Sequence, residues 1–239
     1  MLLRYKNQST KYFLRVYCRL NFNQCMICLH PSQSPMCQAC YDQLPFIQQA
    51  CPICSEPAKH EHICGRCLSQ PPSFDRVIAP FLFKPPVSHW IHHWKQHPRV
   101  LPMRQITNAL IERLREQQYD AITYVPYHWR TTLRRGRAAV VELAHELGRG
   151  LQLPVYSVFR AHTYSAPQHR LNRKQRLSRK NQRFQTRVKF QMPAAHKHWL
   201  LVDDVVTTGA TANGLAKQLL RLGARSVTVA ALARTPKNR

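Results

Sequence analysis

The chain contains Trp199-Leu-Leu-Val-Asp203-Asp204-Val-Val-Thr207-Thr208-Gly209-Ala210-Thr211, an apolar run that ends in two carboxylates and passes into a short hydroxyl-rich turn. Four apolar residues bounded by polar punctuation suit a buried parallel strand. Ala212 to Leu222, with Leu215, Leu219 and Leu222 in one stripe, suits the helix that follows. The turn therefore sits at a strand's carboxyl end, where open α/β sheets bind ligands and a helix amino terminus offers unpaired N–H groups and a favourable dipole to an anion. Gly209 lets backbone approach a phosphate closely, and the hydroxyls of Thr207, Thr208 and Thr211 can donate hydrogen bonds to it. No lysine follows the glycine, so this is not a Walker loop. Asp203 and Asp204 then face the other end of the ligand, where vicinal ribose hydroxyls or a ribose-bound magnesium need oxygen acceptors. The plainer alternative, a strand end with solvated acids, accounts only for Thr211 as a helix cap.

The same run resembles the PRPP-binding loop of type I phosphoribosyltransferases. That resemblance implies that Asp203 and Asp204 are the catalytic pair holding the ribose hydroxyls and magnesium. It implies also that Thr207, Thr208, Gly209, Ala210 and Thr211 hold the 5′-phosphate.

A chain of 239 residues has room for one core of ordinary size and a small appendage, and 44% apolar content is normal for a globular protein. Charge is the unusual quantity: 36 Lys and Arg against 11 acids give +25, which argues for a polyanionic partner such as nucleic acid or an anionic membrane surface. No apolar run reaches membrane-spanning length.

Cysteine usage is equally lopsided. Eight of the nine fall into four Cys-x-x-Cys pairs, Cys25/Cys28, Cys37/Cys40, Cys51/Cys54 and Cys64/Cys67, with Cys18 outside the pattern. A thiolate pair two residues apart can turn both sulfurs to one zinc at about 2.3 Å, and a second pair completes a tetrahedral shell. Two consecutive zinc ribbons follow, although spacing also allows the first pair to join the third. A closed thiolate shell leaves no position for substrate, so the two zinc ions are structural. With no hydrophobic signal segment before the cysteines, a reducing, cytoplasmic setting fits better than a secreted disulfide module.

Residues 1–24 are basic and aromatic, an amphipathic arm that also admits a transit-peptide reading. Gln70-Pro-Pro-Ser73 punctuates the boundary after the ribbons. Beyond it, strands at Arg76 to Phe83, Asp120 to Val125, Pro154 to Phe159 and Ser226 to Leu232 alternate with helices at Pro86 to Gln96, Met103 to Gln118 and Ala138 to Leu151. This order predicts a parallel sheet with helices on both faces. The strand ending at Val125 leads into a basic turn with Arg130, Arg134, Arg135 and Gly136, a second candidate anion loop for pyrophosphate; an exposed basic connector is the alternative. His89, His92, His93 and His97 cluster around one helix without a carboxylate in sequence, which reads as solvated histidines rather than a metal site. His162 to Lys189 holds nine Lys and Arg and no acid, a basic flap suited to a phosphate backbone.

Taken together, the paired cysteine knuckles, Val125-Pro126, Arg134-Arg135-Gly136, Ser165-Ala166-Pro167-Gln168 and Leu201 to Thr211 resemble, in that order, the ComF family of competence-associated proteins, which includes GntX-like members. The resemblance covers about residues 25 to 234. One departure stands out: after Arg134-Arg135-Gly136 the family's aromatic-Asn-Gln is replaced by Arg137-Ala138-Ala139. The fold class implied is α/β, a type I phosphoribosyltransferase-like domain over 74–239, preceded by a double zinc ribbon over 25–69. The function implied is handling of imported single-stranded DNA in natural transformation, on the cytosolic side, with competence helicases or recombination proteins as partners. An active phosphoribosyltransferase of nucleotide metabolism, using PRPP and magnesium, is the alternative. No base pocket is identifiable in the sequence.

Overall fold

The computed structural model describes residues 23–97, 102–126, 139–161, 184–187, 190–193 and 196–237. Its contacts divide the chain into two units, Met1–Leu44 and Pro45–Arg239. The sequence suggested a break at 69–74, after both cysteine ribbons. The packing break falls earlier, between Leu44 and Pro45, because the second ribbon is bonded into the sheet domain: Val77 N–H donates to the Ile53 carbonyl (2.8 Å) and Ser55 Oγ to the Val77 carbonyl (2.5 Å). Ala50 and Ile53 also pack against the sheet's core.

The two cysteine modules repeat one local design. In the first, Cys25 N–H donates to His30 O and Leu29 N–H to Cys25 O, with Leu29 in the left-handed region (φ 63°). The second matches it, with Cys51 N–H to Glu56 O, Ser55 N–H to Cys51 O, and Ser55 at φ 51°. Each tight turn aims two sulfurs to one side, and each module then runs into a single helical turn, α1 (Gln38–Asp42) after Cys37 and α2 (Gly65–Ser69) after Cys64.

The sheet of the larger unit uses β1 (Arg76–Ile78), β2 (Phe81–Leu82), β3 (Ala121–Tyr124), β6 (His198–Val206) and β7 (Ser226–Arg234). Their order is β1-β7-β6-β3, every pairing is parallel, and β2 continues β1 along β7. A single strand over 76–83 is thus split at Ala79-Pro80. Proline has no N–H for the ladder, and Pro80 instead gives its carbonyl to Ile47 N–H. The strand expected at 154–159 is reduced to an isolated parallel bridge of Val155 with Ile122, after which β4 (Phe159–Ala161) pairs antiparallel with β5 (Phe184–Thr186). Tyr156 N–H still donates to the Ile122 carbonyl at 2.8 Å, and its ring lies tilted at 5.7 Å from the Trp199 ring.

Between the strands run α3 (Val87–Trp94), α4 (Met103–Leu114), α5 (Ala139–Leu151) and α6 (Ala210–Arg221). Successive residues of a strand point to opposite faces. Trp199, Leu201, Val227, Val229 and Ala231 accordingly pack with Ala212, Leu215, Ala216 and Leu219 of α6 in one core cluster. The even-numbered Leu200, Val202 and Ala230 are equally buried on the other side, where α4 and α5 lie against β3, β6 and β7. The chain therefore adopts the expected α/β class, a parallel sheet with helices on both faces that follows two four-cysteine ribbons in sequence. Among the described residues no helix is long and apolar enough to cross a membrane.

Candidate ligand loop and metal centres

The eight cysteines form two groups, Cys25, Cys28, Cys37 and Cys40, and Cys51, Cys54, Cys64 and Cys67, with the sulfurs of each group within 4.8 Å of one another. The pairing is sequential, not interleaved. All eight are free thiols. A tetrahedron with metal–sulfur bonds of about 2.3 Å has edges of about 3.8 Å. Cys28 and Cys37 Sγ lie 3.8 Å apart and Cys54 and Cys64 Sγ 3.7 Å apart, so both groups fit a zinc ion and neither fits a disulfide. The local backbone favours the thiolate at Cys25 and Cys51, whereas burial, followed by the neighbouring sulfurs, pushes the thiols of Cys40 and Cys67 up, and burial also raises Cys54. Burial raises the Cys51 thiol, but N–H groups of Cys64, Cys54 and Ile53 outweigh it and bring the group down to about 7. Burial likewise raises Cys25, and backbone donors at Cys28, Cys37 and Ile27 pull it down to about 6. Among the described residues no histidine joins either group. Of the histidines on and just past α3, His93 and His97 have ring centroids 4.7 Å apart, and His92 meets the Phe83 ring edge-on at 5.4 Å.

The acid pair lies inside β6 rather than beyond it. Asp203 pairs with Ala231 in the ladder, and the strand runs on to Val206. The two carboxylates thereby receive different surroundings. Asp204 is buried and its Oδ2 meets Lys95 Nζ, just past the end of α3, at 2.8 Å. Asp203 has the parity of Trp199 and Leu201, is half-buried, and accepts the N–H of Asp204 on its own Oδ1 at 2.8 Å. Desolvation and the adjacent Asp204 charge push the Asp203 carboxyl up to about 8, against the opposing pull of the Asp204 N–H and of Lys95. A cation placed here would relieve that cost and turn Asp203 into an anionic ligand.

Past Val206 the turn Thr207-Thr208-Gly209 leads into α6. Gly209 adopts φ 73°, a left-handed position that suits glycine, and its carbonyl accepts Asn213 N–H at 2.8 Å. The other carbonyls of the turn are held from outside. Arg234 NH1 donates to the carbonyl of Thr207 and, at 3.1 Å, to that of Val206. Arg66 NH1 donates to the carbonyl of Thr208 at 2.7 Å. The carbonyls are thus drawn towards the protein, and the N–H groups of Thr208, Gly209 and Thr211 have no acceptor among the described residues. Ala210 N–H leans on Thr208 Oγ1 at 3.3 Å. Consecutive N–H groups left open around a left-handed glycine form a concave anion site at a helix amino terminus.

Four residues of this arrangement carried no functional signal in the sequence. Lys95 reads there as one more helical cation, Glu56 as a turn former, Arg66 as an exposed residue between two cysteines, and Arg234 as the end of a strand. A hint lay in Leu232-Ala233-Arg234, where a charged residue closes an otherwise apolar run. Arg134 and Arg135 of the expected pyrophosphate loop lie outside the described residues, as do most of the basic flap and all but two residues of the amino-terminal arm.

No family model matches the chain. Among individual proteins it is 31% identical to the DNA utilization protein YhgH of Salmonella typhimurium over 226 residues, which span 88% of this chain and 96% of that protein. The Escherichia coli K12 protein of the same name is 33% identical over 224 residues, again with 88% and 96% covered. The chain belongs to the YhgH/ComF family. A further YhgH/ComF relative, competence protein F of Haemophilus influenzae, is 29% identical and spans 93% of this chain and 97% of that one. Two solved structures are similar to parts of this family member. A purine phosphoribosyltransferase from Pyrococcus horikoshii has 19% identity and a TM-score of 0.36 over 56% of this chain and 83% of its own. A Neisseria gonorrhoeae protein with bound ppGpp has 20% identity and a TM-score of 0.37 over 56% and 71%. The fold of this YhgH/ComF chain rests on its own strand order, not on these likenesses.

Proposed function

We propose that this chain serves DNA utilisation in natural transformation by handling imported single-stranded DNA in the cytoplasm. Its sheet domain holds PRPP with magnesium or a related phosphate ligand, and zinc ions fill its two four-cysteine groups. The observation that carries the ligand is the strand end itself: a half-buried Asp203 beside a buried Asp204–Lys95 pair runs into a turn whose carbonyls are tied back and whose N–H groups are open. In this reading the N–H groups and hydroxyls of Thr207, Thr208, Gly209 and Thr211 bind the 5′-phosphate. Asp203 and Asp204 accept the ribose hydroxyls and the ligand's magnesium, while Lys95 holds the Asp204 side chain in place. Arg134 and Arg135 would meet pyrophosphate. Cys25, Cys28, Cys37 and Cys40, with Cys51, Cys54, Cys64 and Cys67, would hold the zinc, which supplies folding energy rather than chemistry.

The names of the YhgH and competence relatives support the DNA role, as do the charge of +25 and the acid-free run from His162 to Lys189. Phosphoribosyl transfer to a base is the alternative, favoured by the intact acid pair, and release of pyrophosphate on adding bases with PRPP tests it. The main test is calorimetric binding of PRPP with magnesium alongside a labelled oligonucleotide. The double variant Asp203→Asn, Asp204→Asn is expected to lose PRPP and keep DNA. A variant with Arg173, Lys174, Arg176, Arg179 and Lys180 changed to Gln is expected to keep PRPP and to bind single strands more weakly, with a shallower salt dependence, since each phosphate contact contributes a slope of about 0.7. Absence of PRPP binding to wild type at saturating magnesium would overturn the ligand assignment.

A further inference from the structure

Arg234 joins the second cysteine module to the ligand loop. It is 2% exposed. Its Nε donates to the carbonyl of Cys54 at 2.9 Å, and its NH2 forms a 2.6 Å ion pair with Glu56 Oε2. From the same guanidinium, NH1 donates to the carbonyls of Val206, Thr207 and Thr235. One buried planar cation therefore bonds the knuckle between Cys51-x-x-Cys54 and the turn that leads into α6. Glu56 is fixed in turn, since its Oε1 accepts the N–H of Lys237 at 2.8 Å. A second bridge starts from the other half of the module. Arg66, between Cys64 and Cys67, donates to Thr208 O at 2.7 Å.

Both cysteine pairs of the second group thus send a guanidinium contact or its acceptor to the loop, the first through Cys54 O, Glu56 and Arg234, the second through Arg66. In the first module the residue equivalent to Glu56 is His30, placed by the same Cys N–H to carbonyl bond. The coupling device is therefore particular to the second module. A fixed metal shell at Cys51, Cys54, Cys64 and Cys67 holds both knuckles still. The knuckles hold Arg234 and Arg66, and these keep the carbonyls of Val206, Thr207 and Thr208 turned away from the open N–H groups.

We propose that Arg234, Glu56 and Arg66 are positioning residues which couple the second four-cysteine group to the phosphate-binding turn. Metal held at Cys51, Cys54, Cys64 and Cys67 and phosphate ligand held at Thr207 to Thr211 then favour one another. This rests on the ligand reading given above. Coupling between two binding sites is reciprocal. Extracting the metal must weaken the ligand, and binding the ligand must slow loss of the metal. Couplings of this kind commonly amount to about 5- to 150-fold in affinity.

The test is hydrogen exchange on the full chain, followed by mass spectrometry of peptides over 51–67, 203–212, 25–40 and 121–125. Measurements are made with and without PRPP and magnesium, and before and after metal extraction by a chelator. In wild type, extraction is expected to speed exchange of 203–212 about tenfold while β3, within 121–125, stays protected. PRPP is expected to slow exchange over 51–67 but not over 25–40. In the double variant Arg66→Ala, Arg234→Met, which removes both guanidinium ties to the turn, exchange of 203–212 is expected to be fast from the start while 121–125 stays protected, with extraction adding nothing. Unchanged protection of 203–212 after extraction overturns the coupling. So does loss of protection in 121–125 to the same extent, because the metal then stabilises the whole unit and not the turn. Calorimetry on the same wild-type sample separates the two proposals: absence of PRPP binding removes the ligand reading, while the response of 203–212 to extraction still decides the coupling.

Discussion

Replacing Arg234 with Met removes a charge that is 2% exposed and keeps most of the side chain's volume. Four carbonyls, those of Cys54, Val206, Thr207 and Thr235, lose a charged donor, and Glu56, whose side chain is 13% exposed, is left with the N–H of Lys237. Removing one partner of a buried ion pair costs about 3 to 5 kcal/mol, because the other charge stays desolvated. In a unit of this size about 4 kcal/mol corresponds to a fall in Tm of about 8 to 16 °C. Glu56→Gln should cost less, because the amide oxygen still accepts from the guanidinium and Arg234 retains its four carbonyl acceptors. The double variant should be milder than the sum of the two, by about 0.5 to 3 kcal/mol, since neither charge is then left behind alone. The assay is thermal and urea unfolding of the three variants at saturating zinc, which keeps metal loss from mimicking a weaker pair. A fall below about 3 °C for Arg234→Met, or strict additivity in the double variant, would refute the view that this buried pair fastens the second knuckle to the sheet.

Two further predictions concern the metal groups and the acid pair. Elemental analysis of protein purified without added metal should return two zinc ions per chain, and Cys51→Ser should lose one of them and disturb the second ribbon more than the first. Intact disulfides, or fewer than about one zinc in wild type, would contradict the tetrahedral groups. Asp203, raised to about 8, keeps a proton that the unfolded chain sheds near pH 4, so stability should decline as pH rises between about 4 and 8. Asp203→Asn should flatten that decline in urea midpoints measured across the range. Magnesium with PRPP should bind more tightly as pH rises through the same window, because binding must displace the proton.

The sequence alone carried most of what depends on neighbours along the chain, although the break at Pro80 within 76–83 was passed over. Spacing within each Cys-x-x-Cys knuckle, the apolar strand leading into Asp203-Asp204 and the leucine stripe of α6 are all short-range patterns; the sulfur groups and the helix formed as read, and the strand formed but ran on through the acids to Val206. Sequential pairing of the cysteines followed because each ribbon closes over fewer than about 20 residues, where loop closure is cheap. The turn's scaffold was beyond such reading. Arg234 finds Cys54 at a separation of 180 residues, Arg66 finds Thr208 at 142, and Lys95, just past α3, meets Asp204 of β6 only in the folded chain. Cysteine spacing likewise said nothing of what the second ribbon would pack against, and so placed the domain break after it. The parallel order β1-β7-β6-β3 decided these matters. It brings the carboxyl ends of β6 and β7 side by side, and a buried guanidinium there must take whatever carbonyls and carboxylate the fold delivers, because desolvation leaves it no cheaper state.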